Sequence, residues 1–184
     1  YYGADNEGYS VYLTAKSCEL RVYYSKDDYD IAYVDCHGDV EKLDLAVLRL
    51  REPTDKRKPL KLSEVTEDMI GDTVYTIGYP GNADNDFSGA SQYGIEDSTV
   101  HKGSVSRIVM NEGKGVERIS TDATIQHGNS GGPLITEDNY VIGVNTNGWI
   151  DRKNLEIDHY AISANDVMRF LDKNNIYYET RSSS

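Results

Sequence analysis

The stretch "QHGNSGGPL", residues 126–134, sets one serine, Ser130, among three glycines and directly ahead of a proline. Glycines relax the steric restraint on a chain, and a cluster of them is useful where backbone must turn sharply or approach another group closely. As a bare pattern, Gly128, Ser130 and Gly132 satisfy G-x-S-x-G, the strand-to-helix elbow that exposes a nucleophilic serine. That elbow needs a helix straight after the serine, whereas Gly131, Gly132 and Pro133 lead into the apolar "PLIT". The alternative use of such a stretch is a tight loop followed by a strand, its N–H groups turned inward to meet a tetrahedral oxyanion. A glycine-rich β-turn carrying an idle serine is the competing reading.

Outward from this loop the pattern is mostly β. On the C-terminal side, "GGPLITEDNYVIGV" predicts a hairpin around Glu137, Asp138 and Asn139. On the N-terminal side, "DTVYTIGYPG", "VHKGSVSRIVM" and "ERISTDATI" read as further strands, and "HYAIS" as the last one. Earlier still, "YSVYLTA", "CELRVYY", "DIAYVDC" and "LDLAVLRL" are short Tyr-rich and β-branched runs broken by Asp, Gly and Lys, the spacing of an antiparallel meander. Between the two sets lies a polar segment with two prolines, too long for a hairpin turn. The expected organisation is a first β unit over residues 1–50, a crossing over 51–67, and a second β unit with a closing helix and tail over 68–184. Ser163 reads as the helix N-cap with Asp166 three residues on, and Val167, Phe170 and Leu171 recur at helical spacing.

In "EKLDLAVLRL", alternation places Asp44, Ala46, Leu48 and Leu50 on one strand face, which makes Asp44 a single carboxylate on an apolar side. A buried carboxylate needs hydrogen-bond donors, and the N–H of a histidine is one such donor. The alternative is a strand-end aspartate that caps a turn.

Composition bounds the rest. Of 184 residues, 38% are hydrophobic and 27% charged, an ordinary globular balance. No apolar run approaches the ~20 residues of a membrane span, and no charged, apolar leader opens the chain, so no membrane contact is expected from it. Thirty-one acidic against nineteen basic residues give a formal charge of −12, which repels phosphate backbones and argues against nucleic acid as a partner. The fifteen tyrosines follow the strand-like runs and read as packing and half-buried strand faces. Cys18 and Cys36 form one bridge or none, and their spacing matches no metal pattern. The segment with Asp84, Asp86, Ser88 and Gly89 approaches a calcium loop, but its closing Glu96 comes one residue late and no helices flank it, so a solvated loop is the better reading. No metal or cofactor is expected.

Taken together, "DLAVLRL", "MIGDTVYTIGYPG", "HKGSVSRI", "STDATIQHGNSGGPLI", "YVIGVNTN" and "HYAISANDVMRFL" resemble, in order and over nearly the whole chain, the segments of HtrA-like serine endopeptidases of the trypsin fold. The resemblance implies an all-β double β-barrel with the site in the cleft between barrels, the first barrel incomplete at its N-terminus. It implies Ser130 as nucleophile, Asp44 as the carboxylate orienting a histidine, and the N–H groups of Gly128 and Ser130 as oxyanion hole. Polypeptide is the implied substrate, with Thr124, Ile125, His127, Asn145, Thr146 and Asn147 around its pocket. An extracytoplasmic location is implied as well; oligomeric state is left open.

Two departures stand out. His127 replaces the proline that usually precedes the glycine of "GNSGG". The family's histidine lies in a segment of the type T-x-x-H-V-x-x-G-A, and Gly3 and Ala4 match its ending, so the histidine is expected about two residues before Tyr1. His37, at a Gly38 turn, His101, in a strand, His127, on the serine loop, and His159, ahead of the last strand, have no position that the resemblance assigns to the base. Two rival readings remain at this level: a protease-fold module that holds an extended peptide along the edge near residues 145–147 by β-augmentation, and a structural fragment of a larger assembly.

Overall fold

The computed structural model describes residues 2–4, 10–12, 19–25, 27–79, 98–111, 113–125, 128–146, 149–151 and 156–181. Its elements are almost all strands. β1 (Tyr2–Ala4) and β2 (Ser10–Tyr12) form an antiparallel pair, and β3 (Leu20–Tyr23), β4 (Tyr29–His37) and β5 (Ala46–Leu50) form an open three-stranded meander in the order β3-β4-β5. β2 to β5 fall in the runs anticipated from alternation; β1 does not, and β1–β2 stands as a sheet of its own instead of joining one meander.

The second set closes on itself. β6 (Thr73–Gly78), β7 (Thr99–Asn111), β8 (Val116–Thr121), β9 (Pro133–Thr136), β10 (Val141–Asn145) and β12 (Glu156–Ser163) lie in the order β10-β9-β6-β7-β8-β12, and β10 pairs with β12 to complete a six-stranded barrel. The short β11 (Trp149–Asp151) extends β12. Closure removes the unpaired edges that an open sheet presents. Val74, Val105, Ile119, Ala123, Leu134, Ile142 and Ala161 fill the interior, joined by Val65 of the crossing and Ala164 of the helix. The β9–β10 turn falls where the sequence places it: Asn139 takes a positive φ of 63°, and Thr136 N–H donates to Tyr140 O at 2.9 Å.

The helix α1 (Ala164–Lys173) begins as predicted, with the Ser163 side chain accepting from Asn165 N–H. Asp166, however, does not reach back to the cap. Its carboxylate accepts from Glu117 N–H at 2.6 Å and from Arg169, while Glu117 Oε1 accepts from Ser163 Oγ and from Asn165 Nδ2. Asn165 also exchanges hydrogen bonds with both backbone groups of Val65. One buried polar cluster thus ties helix, β8 and the crossing together, and each member satisfies another's desolvated group.

The meander is tied down differently. Lys56 of the crossing meets Asp28 and Asp30 at 2.6 and 3.4 Å, and Arg57 donates to Tyr24 O at 2.8 Å. On β4 and β5, Arg49 grips Asp35 through two hydrogen bonds of 2.9 and 2.7 Å, which holds that carboxyl below its ordinary pKa. Apolar residues on this sheet stay in solvent nevertheless: Val34 is 49% exposed and Leu48 47%. Cys36 on β4 is half-buried and free; Cys18 lies outside the described residues.

Candidate active site

Ser130 stands exposed on the turn between residue 125 and β9. Gly128 has φ 102° and Gly131 φ 84°, values that an L side chain rarely adopts, so the two glycines bracketing the serine let the chain reverse on either side of it. Gly132 is required for a different reason. A Cβ built there would lie 2.3 Å from Ile77 O and 3.0 Å from Asn129 O, so the loop seats against the end of β6 only without a side chain.

The loop is then hung on its neighbours by backbone bonds. Tyr79 N–H donates to Gly128 O at 3.2 Å, Gly131 N–H to Asn145 O at 2.8 Å, Asn145 N–H to Gly132 O at 2.8 Å, and Gly132 N–H to Asn129 O at 2.9 Å. The N–H groups of Gly128 and Ser130 donate to no group among the described residues. Asn129, between them, is wholly buried, and its amide oxygen and nitrogen have no partner.

Thr124 and Ile125 approach the loop from β8. Thr76 Oγ1 donates to Thr124 O at 2.9 Å, Ile125 N–H donates to His159 Nδ1 at 3.2 Å, and Asp122 at the start of the segment accepts from the backbone of Ser104. Ile125 is buried and Thr124 half-buried. Because Nδ1 accepts, the His159 proton belongs on Nε2. The sequence reading put His159 ahead of the last strand; β12 begins at Glu156, so the histidine is inside it, paired with Thr121 and directed at residue 125. No sequence signal marks that contact, since it depends on strand pairing between residues far apart in the chain.

On the other side of the serine loop, Asn145 and Thr146 are both buried. Asn145 spends its backbone N–H and C=O on Gly132 and Gly131, and Thr146 N–H donates to Tyr160 O at 2.9 Å. The edge suggested for an added peptide strand is therefore engaged at Asn145 by the serine loop itself. His127 and Asn147 lie outside the described residues, as does the rejected calcium loop with Asp84, Asp86, Ser88, Gly89 and Glu96.

Asp44 corrects an expectation. It precedes β5 in the turn after β4, outside the strand, and is exposed, as are Ala46 and Leu48 on one face of β5. The face carries apolar side chains in alternation, but the meander has no layer over it among the described residues, so no burial forces a partner on the carboxylate. Of the histidines, His37 is exposed with Nδ1 2.8 Å from Gly38 O, and His101 lies on β7 opposite Thr76 with a buried Nε2 that has no partner.

A closed barrel, an open antiparallel meander, and an exposed serine on a glycine-built turn are the arrangement of a trypsin-fold domain. Comparison with known proteins gives the family: residues 4–144 match the trypsin-like peptidase domain, and the chain belongs to that family, in its HtrA-like group. It is 36% identical over 105 residues to the serine protease HTRA4 of Mus musculus and 31% identical over 103 residues to the chloroplastic protease Do-like 1 of Arabidopsis thaliana. Those matches take in 57% and 56% of this chain but only 20% and 22% of the relatives. Among solved structures, the HtrA-type protease AlgW with decapeptide superposes with TM-score 0.66 at 23% identity, covering 88% of this chain and 45% of AlgW. The serine endoprotease of Yersinia pestis superposes with TM-score 0.62 at 24% identity, covering 86% and 49%. These two likenesses show the fold. No helix among the described residues is long and apolar enough to cross a membrane.

Proposed function

We propose that the protein containing this chain is a serine endopeptidase acting through an acyl-enzyme, with Ser130 as nucleophile. The observation that carries the reading is the serine turn: an exposed Ser130 with two N–H groups, of Gly128 and Ser130, that donate to nothing among the described residues. Ser130 Oγ attacks the peptide carbonyl while a histidine takes its proton. The carbonyl oxygen, now an oxyanion, accepts from the two N–H groups. The histidine returns the proton to the leaving amine, and water then hydrolyses the ester by the same route in reverse. Asp44 orients that histidine, which the resemblance locates upstream of Tyr1. His37, His101 and His159 are not candidates for the base: His37 sits at a surface turn, His101 within β7, and His159 takes the Ile125 N–H. An extracytoplasmic location is part of the same proposal.

The test is labelling. Full-length protein is expected to react with a serine-directed fluorophosphonate, and the label is expected to map to Ser130 and to vanish in Ser130→Ala. A folded protein that takes no label, or one that keeps it in Ser130→Ala, overturns the reading in favour of a binding module.

Specificity follows from the pocket residues. Among the described residues, the backbone of Thr124 and Ile125 bonds to a threonine hydroxyl and an imidazole nitrogen, neither of them a carboxylate. A desolvated Lys or Arg side chain would find no counter-ion there, so uncharged small or medium residues are expected before the scissile bond. Cleavage products of a peptide library, read by mass spectrometry, check this; dominant cuts after Lys or Arg would sink the pocket assignment.

A further inference from the structure

On the outer wall of the barrel, away from the interior filled by Ile119, lies a cavity of about 320 Å³ lined by Val109, Asn111, Arg118 and Tyr160. Strand alternation builds it. Arg118 follows Glu117 and precedes the fully buried Ile119 on β8, and it stands opposite Val109 of β7 and Ile162 of β12. Its side chain therefore leaves the sheet between two apolar cross-strand neighbours.

Among the described residues Arg118 meets no carboxylate, unlike several other arginines of this chain. Arg21, Arg49, Arg169 and Arg181 each meet a carboxylate within 3.3 Å. Arg118 is half-buried, its Nε is shut off from solvent, and that nitrogen has no hydrogen-bond partner. A guanidinium keeps its charge at every relevant pH, so it cannot relieve this by losing a proton. In a chain with 31 acidic residues against 19 basic ones, a carboxylate for it would have been easy to supply. The other polar groups of the wall are the Asn111 amide, whose Oδ1 accepts from Lys114 N–H at 3.2 Å and whose Nδ2 can donate, and the Tyr160 hydroxyl, which accepts from Arg107 at 2.8 Å.

We infer that this cavity is a binding site for a carboxylate, either the free C-terminus or an acidic side chain of a peptide, with Arg118 as its cationic partner. The planar fork of a guanidinium matches the two oxygens of a carboxylate. A volume near 320 Å³ is at the lower end for ligand pockets and holds a carboxylate with the residue that bears it. A doubly charged phosphate is disfavoured, because the net charge of −12 repels it more strongly than a single carboxylate. The site does not involve Ser130 and does not depend on the peptidase reading.

The experiment uses full-length protein carrying Ser130→Ala, so that no peptide is cut. Three short peptides are titrated: one with a free C-terminus and no acidic residue, one amidated with a single internal glutamate, and one amidated and uncharged. The Nε–H resonance of Arg118 and the side-chain amide of Asn111 are followed by NMR. Saturating shifts with either carboxylate peptide, and none with the uncharged one, are expected; which of the two shifts identifies the source. Arg118→Gln should weaken the response of Asn111 at least about tenfold, and Arg118→Lys, which keeps the charge but loses the fork, about fivefold. The Lys variant serves if the Gln variant does not fold. Equal shifts with the uncharged peptide, no shift with either carboxylate, a response unchanged in the folded variants, or inorganic phosphate acting at lower concentration than acetate would each overturn the assignment.

Discussion

Asp44→Asn in the full-length protein is expected to lower kcat by about 10⁴-fold while leaving the melting temperature nearly unchanged. The expectation rests on the proposed triad. An amide of the same shape can stabilise the wrong imidazole tautomer and cannot offset the imidazolium charge that develops as Ser130 attacks. It also rests on exposure: Asp44 carries no structural hydrogen bond among the described residues, so its replacement removes little folding energy from this chain. Asp39 supplies the control, since it lies in the same turn and is exposed, and its carboxylate accepts from Glu41 N–H and pairs at 3.9 Å with an exposed Lys42. Asp39→Asn should leave kcat unaltered. Equal rates in the two variants would remove Asp44 from the mechanism.

Gly132→Ala is expected to destabilise the protein by about 3 kcal/mol or more, a fall in melting temperature of roughly 6–12 °C for a domain of this size. The added methyl would sit 2.3 Å from Ile77 O, and that carbonyl belongs to the barrel wall. Relief therefore requires the serine turn to lift from β6, which strains the bonds it makes with Asn145. Activity should fall with it, because the Ser130 and Gly128 N–H groups move together with the turn. Gly115→Ala gives the contrasting case: Gly115 has a positive φ, 66°, which Gly132 does not, but nothing lies within 4 Å of the added atom, so a loss of only about 1 kcal/mol is expected. Calorimetry on the two variants checks this, and equal stabilities would show that the close approach at Gly132 is not a constraint.

Much of the architecture is written in local chemistry. Alternation of β-branched and tyrosine residues marks the strands of both sets, Asn139 marks the β9–β10 turn, and Ser163 marks the start of α1, because each depends on residues within a few positions of one another. The serine loop is legible for the same reason: positive φ and close approach both demand glycine, and the demand is visible as Gly128, Gly131 and Gly132 around Ser130.

What the tertiary structure decided is non-local. Alternation extended the β5 face back to Asp44 but could not say where the strand begins or whether anything covers it; β5 starts only at Ala46, and the carboxylate is in solvent. The capping acid Asp166 went to Glu117, 49 residues away, because the buried β8 backbone offered a donor that solvent could not reach. His159, placed by the sequence ahead of the last strand, lies within β12, and the pairing of β12 with β8 turns it toward Ile125. Arg118 reads in the sequence as one more strand cation; only the register of β7, β8 and β12 sets it between Val109 and Ile162 without a carboxylate. Short-range steric and hydrogen-bonding preferences are encoded residue by residue, whereas burial and charge pairing depend on which strands become neighbours.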